Sequence, residues 1–175
     1  ELGTRFSDEA VRNQFVDVVQ SVLPDRFGKP EYGSQYWVTG EDNGGNYIEY
    51  RESSLHADQA RMLFDLFDLK GKSVLDIGAA MGYIVKQLRL LGVEADGMDV
   101  SQFAVDRSPV RKHMRVGDVV SDELGGPYDF IFSLDTFEHI APEKLRAAFR
   151  HVRAALKPGG IACIIPGTLD CATLH

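Results

Sequence analysis

Residues Val74 to Val85 read "VLDIGAAMGYIV". A short apolar strand, an acid, a glycine turn and the start of a helix follow one another, the order found in chains that cradle a nucleotide at a helix N-terminus. The turn itself narrows the ligand. A P-loop needs Lys and Ser or Thr after its last glycine, and Tyr83 and Ile84 follow Gly82 instead. A dinucleotide fingerprint needs G-x-G-x-x-G, whereas Gly78 and Gly82 here enclose Ala79, Ala80 and Met81, so the glycine that admits a pyrophosphate is missing. Asp76 would also set negative charge beside a pyrophosphate. A ligand with no phosphate and a positive centre suits this turn better, and S-adenosylmethionine is such a molecule.

Outward from this turn the chain alternates between strand and helix. Short apolar runs predict strands at Ser73–Ile77, Val93–Met98, Met114–Val116, Tyr128–Leu134 and Ile161–Ile165. Helical spacing predicts helices at Tyr83–Leu91, Ser101–Arg107 and Glu143–Leu156, with a short turn or helix near Asp122–Leu124. Such alternation implies an α/β, Rossmann-like, doubly wound and mostly parallel sheet, with every strand end and any ligand at one carboxyl edge. Before it, "SSLHADQARMLFDLFDL" predicts a helix with Leu55, Met62, Leu63, Leu66 and Phe67 on one side, and Ser7 to Leu23 predicts another, stopped by Pro24. The segment between these two helices is irregular and rich in glycine and aromatics. The expected organisation is an N-terminal extension over 1–52, with a helix and a lid-like segment, and a binding domain over 53–175.

Composition bounds the alternatives. The 175 residues suffice for one domain with a sizeable core. A net charge of −7 argues against a nucleic-acid partner. No apolar run approaches the ~20 residues of a membrane span. The chain opens at Glu1 with no basic stretch leading into an apolar core, and only Cys163 and Cys171 are present, so the expectation is an excerpted cytoplasmic chain with free thiols.

Two further acids fall at strand ends. "GMDVS" places Asp99 about twenty residues beyond the glycine turn, where a carboxylate can accept from both ribose hydroxyls. "RVGDVV" places Asp118 to accept from the adenine amino group and Val119 to offer its backbone N–H. With these in view, "VLDIGAAMGYIV", "ADGMDVS", "VGDVV", "YDFIFSLDTFEHI" and "LKPGGIACIIPG" resemble, in order and spacing, the successive motifs of class I S-adenosylmethionine-dependent methyltransferases. The likeness covers about Ser54 to Gly167. It departs from the usual D-x-G-x-G-x-G at Ala80, a mild change if the backbone there keeps a negative φ.

The resemblance implies that Asp76, Gly78, Ala79 and Gly82 line the methionine portion, that Asp99 with Val100 meets the ribose and Asp118 with Val119 the adenine, and that Ser133 and Leu134 flank the donor methyl. It also implies a seven-stranded sheet, of which the last two strands are not found here. Just past the fourth strand, "SLDTFEHI" offers Asp135, Glu138 and His139 for catalysis, with His139 suited to act as a general base for a hydroxyl acceptor. The D-x-x-E-H pattern is similar to the metal-assisting E-x-x-E-H of some O-methyltransferases, with a shorter first acid and no second histidine assigned to the set, His175 being available at the end of the chain.

Tyr32, Tyr36, Trp37, Tyr47 and Tyr50, beside Gly44 and Gly45, suggest either a lid whose rings face the sulfonium or a connector packed on the core. Arg51 and Arg61 are candidates for the methionine carboxylate. The functional expectation is methyl transfer to a small hydroxylated molecule, namely a sugar, a polysaccharide unit or a secondary metabolite, with O-, N- and C-methylation all open. A metal-assisted O-methyltransferase, a catalytically silent nucleotide-binding module and a partner subunit are the alternatives. A second copy of the chain or a further C-terminal segment is the expected cover for the open edge strand.

Overall fold

A computed structural model describes residues 32–39 and 49–167. The helix expected over Ser7–Leu23, Gly44, Gly45, Tyr47, Cys171 and His175 lie outside the described residues. A π-helical turn, Gln35–Thr39, comes first, then α1 (Ser54–Phe67), β1 (Ser73–Ile77), α2 (Tyr83–Leu90), β2 (Glu94–Asp99), α3 (Gln102–Asp106), a 3-10 turn (Arg111–His113) and β3 (Met114–Val116). β4 (Tyr128–Leu134), a second 3-10 turn (Phe137–His139), α4 (Pro142–Ala155) and β5 (Leu156–Ile165) complete it. The Asp122–Leu124 stretch forms no helix. Instead, Ser121 N–H and Asp122 N–H both donate to the Asp118 carbonyl and close a turn.

All strands pair in parallel in the order β3-β2-β1-β4-β5. This is the Rossmann-like α/β sheet that the sequence predicts. The order reverses between β1 and β4, so the connections out of these two strands diverge and leave a crevice at their carboxyl ends.

Alternation along the strands builds the two halves of the core. Val74, Phe130 and Phe132 face α1 and α2, where they meet Ala60, Leu63, Val85 and Leu88. Leu75, Ile77 and Ile131 face α4, where they meet Leu145, Ala148 and Val152. α4 forms where it does because Pro142 starts it without losing a needed N–H, and its apolar residues recur every three or four positions.

α1 buries a different stripe from the one its leucines suggest. His56, Ala60 and Leu63 face inward, while Leu55, Met62 and Leu66 are exposed. Ala60 is fully buried, and a small side chain there lets the backbone approach closely; truncating the fully packed Leu63 would cost about 2–5 kcal/mol.

β5 begins at Leu156, five residues earlier than the sequence suggests, and α4 stops accordingly at Ala155. Leu156 pairs with Tyr128, and the next pairing joins Ile161 to Phe130. The intervening Lys-Pro-Gly-Gly therefore bulges, with Gly159 at φ +80. Lys157 gains from this: its Nζ lies 2.8 Å from Asp129 Oδ2, which also accepts from Ser73 N–H and Ser73 Oγ at 2.8 Å each. These donors, the Lys157 ammonium foremost, hold the Asp129 carboxyl down at about 2 and clamp β1, β4 and β5 at their amino ends. The opposite ends are left for the site.

Candidate active site

The crevice is floored by the ends of β1, β2 and β4 and walled by the aromatic segment and by α1. Ile77 is the last residue of β1, and the chain then bends back so that Gly78 N–H and Ala79 N–H both donate to the Met98 carbonyl, at 2.8 and 3.0 Å. Gly78 sits at φ +78, and a Cβ there would lie 2.0 Å from Thr136 Oγ1. A neighbour within the protein therefore requires this glycine, before any ligand is considered. Gly82, at φ +73, begins α2 and packs against Met114 and Ser108, outside the crevice lining.

Ala80 departs from the expectation of a negative φ, since its φ is +51. A left-handed alanine is strained by roughly 1–2 kcal/mol. The conformation is held by Asp99, whose Oδ2 accepts from Ala80 N–H at 2.7 Å while Oδ1 accepts from Ser101 N–H at 2.8 Å. Asp99 is 7% exposed. Burial pushes its carboxyl up, and the two N–H donors pull it part of the way back. Val100, beside it, also lines the crevice.

Asp76 is 4% exposed and has no hydrogen-bond donor among the described residues. Burial first, and the Asp99 charge second, raise its carboxyl well above the usual carboxylate range. The crevice thus holds Asp76, Asp99 and Asp135 but no lysine or arginine among the described residues. Such a donor set suits a cation and not a phosphate.

The remaining predicted residues divide. Val119 and Leu134 line the crevice. Asp118 does not: its Oδ1 accepts from Val120 N–H at 2.9 Å, and its own N–H donates to Asp122 Oδ2, so it closes the local turn. Ser133 is fully buried, with its hydroxyl donating to the Ile77 carbonyl at 2.8 Å, so its side chain ties β4 to β1 and stays out of the crevice. Arg51 pairs with Glu49 and Arg61 lies near Asp65, both on the surface, and neither lines the crevice.

After β4, Asp135 adopts φ +50 and donates its N–H to the Ile165 carbonyl. Asp135, Thr136 and His139 line the crevice. Burial lowers the His139 pKa, and Asp135 partly restores it, so the imidazole is neutral and basic near pH 7. Glu138 turns inward: Oε1 accepts from Gly167 N–H at 3.0 Å, and Oε2 is buried without a partner. Burial pushes this carboxyl up to about 7. Among the described residues no group of three or more His, Cys, Asp and Glu side chains is arranged to hold a metal ion.

The aromatic segment packs and lines at once. Tyr36 and Trp37 bury against Met81 and Ala104, and Tyr32, Tyr36, Trp37 and Tyr50 all border the crevice. α1 adds His56 and Gln59, which sequence reasoning missed. The available signal was the spacing of Ser53 and His56 at the start of α1. It is the spacing of a capping box with histidine in place of the usual Glu or Gln.

Comparison with known proteins agrees with this geometry. The profile of a methyltransferase domain matches residues 47–169. The ribosomal protein L11 methyltransferase of Methylococcus capsulatus is 29% identical over 180 residues, covering 91% of this chain and 61% of that protein. The chain therefore spans about three fifths of this relative's length. A TehB-like SAM-dependent methyltransferase from Corynebacterium glutamicum superposes with a TM-score of 0.55 at 27% identity, over 61% of this chain and 60% of that one. CalS10, an amino pentose methyltransferase from Micromonospora echinaspora, shares the fold with a TM-score of 0.56 at 20% identity, over 66% of this chain and 52% of its own. No helix among the described residues is long and apolar enough to cross a membrane.

Proposed function

The chain belongs to the methyltransferase domain family, and on that premise we propose that its crevice binds S-adenosylmethionine and passes the methyl group to a small hydroxylated acceptor. The observation that carries this reading is the acidic floor: Asp76 is buried, has no hydrogen-bond donor among the described residues, and is raised by burial first and by the Asp99 charge second, so it calls for a cation. Bound there, the cofactor supplies a methyl group already activated by a sulfonium.

The protein's part is to hold and align. Asp76 would face the ammonium. A carboxylate offers about four lone-pair sites, so Asp99 keeps acceptor capacity for ribose hydroxyls beyond its two backbone bonds. The rings of Tyr32, Tyr36, Trp37 and Tyr50 would present π-faces to the positive centre and keep water away. His139, neutral and on the lip of the crevice, would take the hydroxyl proton as the acceptor oxygen approaches. Asp135 stands beside it, where its charge would stabilise the imidazolium that results.

Calorimetric titration with S-adenosylhomocysteine, NAD and ATP tests the reading. The first should bind and the other two should not; tight binding of NAD or ATP, or none of S-adenosylhomocysteine, overturns it. A radiolabelled-methyl screen then sorts acceptors, with hydroxylated sugars in one arm. Ribosomal protein, the substrate named for the 29%-identical relative, fills the other.

A further inference from the structure

We propose that His56 is a positioning residue: as the neutral Nε2–H tautomer it directs Tyr50, and through Tyr50 it sets the aromatic cap over the crevice. The inference rests on the reading of the crevice as a cofactor site, but its first consequence is visible without ligand. Ser53 N–H, which can only donate, points at His56 Nδ1 from 3.0 Å, and the Ser53 hydroxyl, which can donate as well, lies 3.2 Å from the same nitrogen, so that nitrogen carries the lone pair. His56 is 7% exposed, and burial lowers its pKa, so the ring is neutral. Its one proton is then on Nε2, which lies 3.1 Å from Tyr50 Oη. The imidazole donates, the phenol oxygen accepts, and the Tyr50 O–H is turned away from the histidine.

From Tyr50 the connection runs into the cap. Tyr50 N–H donates to the Trp37 carbonyl at 3.3 Å, and the two rings lie 5.3 Å apart. Trp37 Nε1 donates to Ser101 Oγ at 3.0 Å, and Ser101 N–H donates to Asp99 Oδ1. A continuous set of contacts thus joins the N-cap of α1 to the carboxylate on the far side of the crevice. Glu or Gln in place of His56 would close the capping box but would serve α1 alone. Histidine adds a second, opposed nitrogen, and that nitrogen reaches the cap.

Protonation would weaken the arrangement, since Nδ1–H would face Ser53 N–H, donor against donor, and could turn only to the Ser53 hydroxyl at 3.2 Å. The groups around the ring are Tyr50, Glu52 before α1, Tyr83 and Lys86 on α2, and Asp76 across the crevice. Glu52 favours the proton, but its own charge is drawn off by Lys86 Nζ at 2.7 Å and by Gln87. The cap should therefore hold above the ordinary histidine range and loosen as pH falls below it.

Three measurements on the whole chain test this. Long-range 1H–15N NMR of the ligand-free protein should show His56 as Nε2–H and neutral at pH 7; the Nδ1–H tautomer or a charged ring overturns the proposal. His56→Glu keeps the capping box and removes the donor, while Tyr50→Phe removes its acceptor and leaves α1 untouched. In both, hydrogen–deuterium exchange at residues 32–39 and 49–53 should quicken several-fold, and S-adenosylhomocysteine should bind up to about tenfold more weakly. Loss of affinity at low pH should vanish in His56→Glu. Unchanged exchange and affinity in both variants overturn the proposal even with the expected tautomer. If the parent shows the tautomer and the exchange effect but does not bind S-adenosylhomocysteine, the cofactor reading fails and the positioning of the cap stands.

Discussion

Substituting Gly78 by alanine challenges the tightest contact at the crevice floor. At φ +78 an alanine is strained by about 1–2 kcal/mol, and part of this is offset by the ~0.4–1 kcal/mol that alanine gains by restricting the unfolded chain. The new methyl would also stand 2.0 Å from Thr136 Oγ1, 2.6 Å from its Cγ2 and 2.8 Å from its Cβ. Thr136 cannot yield cheaply, because its branch point is among the atoms struck and its hydroxyl donates to the Leu134 carbonyl at 3.1 Å. Forcing such an overlap costs typically ~1–3 kcal/mol. Gly78→Ala should therefore destabilise the chain by about 2–4 kcal/mol, a fall in melting temperature of roughly 4–16 °C at this size. Thr136→Ala alone should cost only about 1 kcal/mol for its lost hydrogen bond. In the double variant Oγ1 and Cγ2 are gone, so the combined loss should be about 1–2 kcal/mol smaller than the sum. Denaturant unfolding of the four proteins measures the cycle. A Gly78→Ala protein as stable as the parent, or a strictly additive double variant, would refute the claim that Thr136 imposes the glycine.

Other substitutions separate the roles assigned above. Asp99→Ala should weaken S-adenosylhomocysteine by about 2–3 kcal/mol and lower the melting temperature as well, because Ala80 N–H and Ser101 N–H lose their acceptor; calorimetry with unchanged affinity would remove Asp99 from the site. His139→Ala should keep cofactor affinity and lose roughly a hundredfold or more in turnover, and the parent's rate should fall as pH drops through a histidine pKa below the ordinary 6.5; full turnover in the variant sinks the base assignment. Glu138, at about 7, binds its proton more tightly folded than unfolded, so its ionisation cost accumulates between pH 4.5 and 7. Glu138→Gln should thus gain stability over the parent at pH 8 but not at pH 4, by on the order of 2–3 kcal/mol; a gap that does not change with pH contradicts this.

Much of this was legible in the chain because parallel strands announce themselves locally. β1, β3 and β4 are short, mostly apolar runs between turn residues, and the structure keeps their predicted limits. β5 was harder, since its first half is held by pairing across a bulge and by Lys157 on Asp129, neither of which leaves an apolar pattern. α1 misled because burial follows the neighbour and not the largest side chains: Ala60 is enclosed and Leu66 is not. At the site, strand-end acids can be read from position alone, which is why Asp76 and Asp99 were found. Whether a side chain turns toward the crevice cannot be read that way. Ser133 turns to Ile77, Asp118 to its own turn, and His56 becomes visible only through partners three and six residues away in the chain.

Trp37 is the only tryptophan in the chain, and it lies in the cap. Its indole is buried, bonded to Ser101, with Tyr36 and Tyr50 centred 4.9 and 5.3 Å away. At that range light absorbed by the tyrosines passes to the indole, and the indole's own emission depends on whether water reaches it. Lifting the cap would lengthen the tyrosine distances and wet the ring, dimming the transferred signal and moving the emission to the red. The protein therefore carries an optical gauge of its own crevice, readable in a stopped-flow instrument with no label attached.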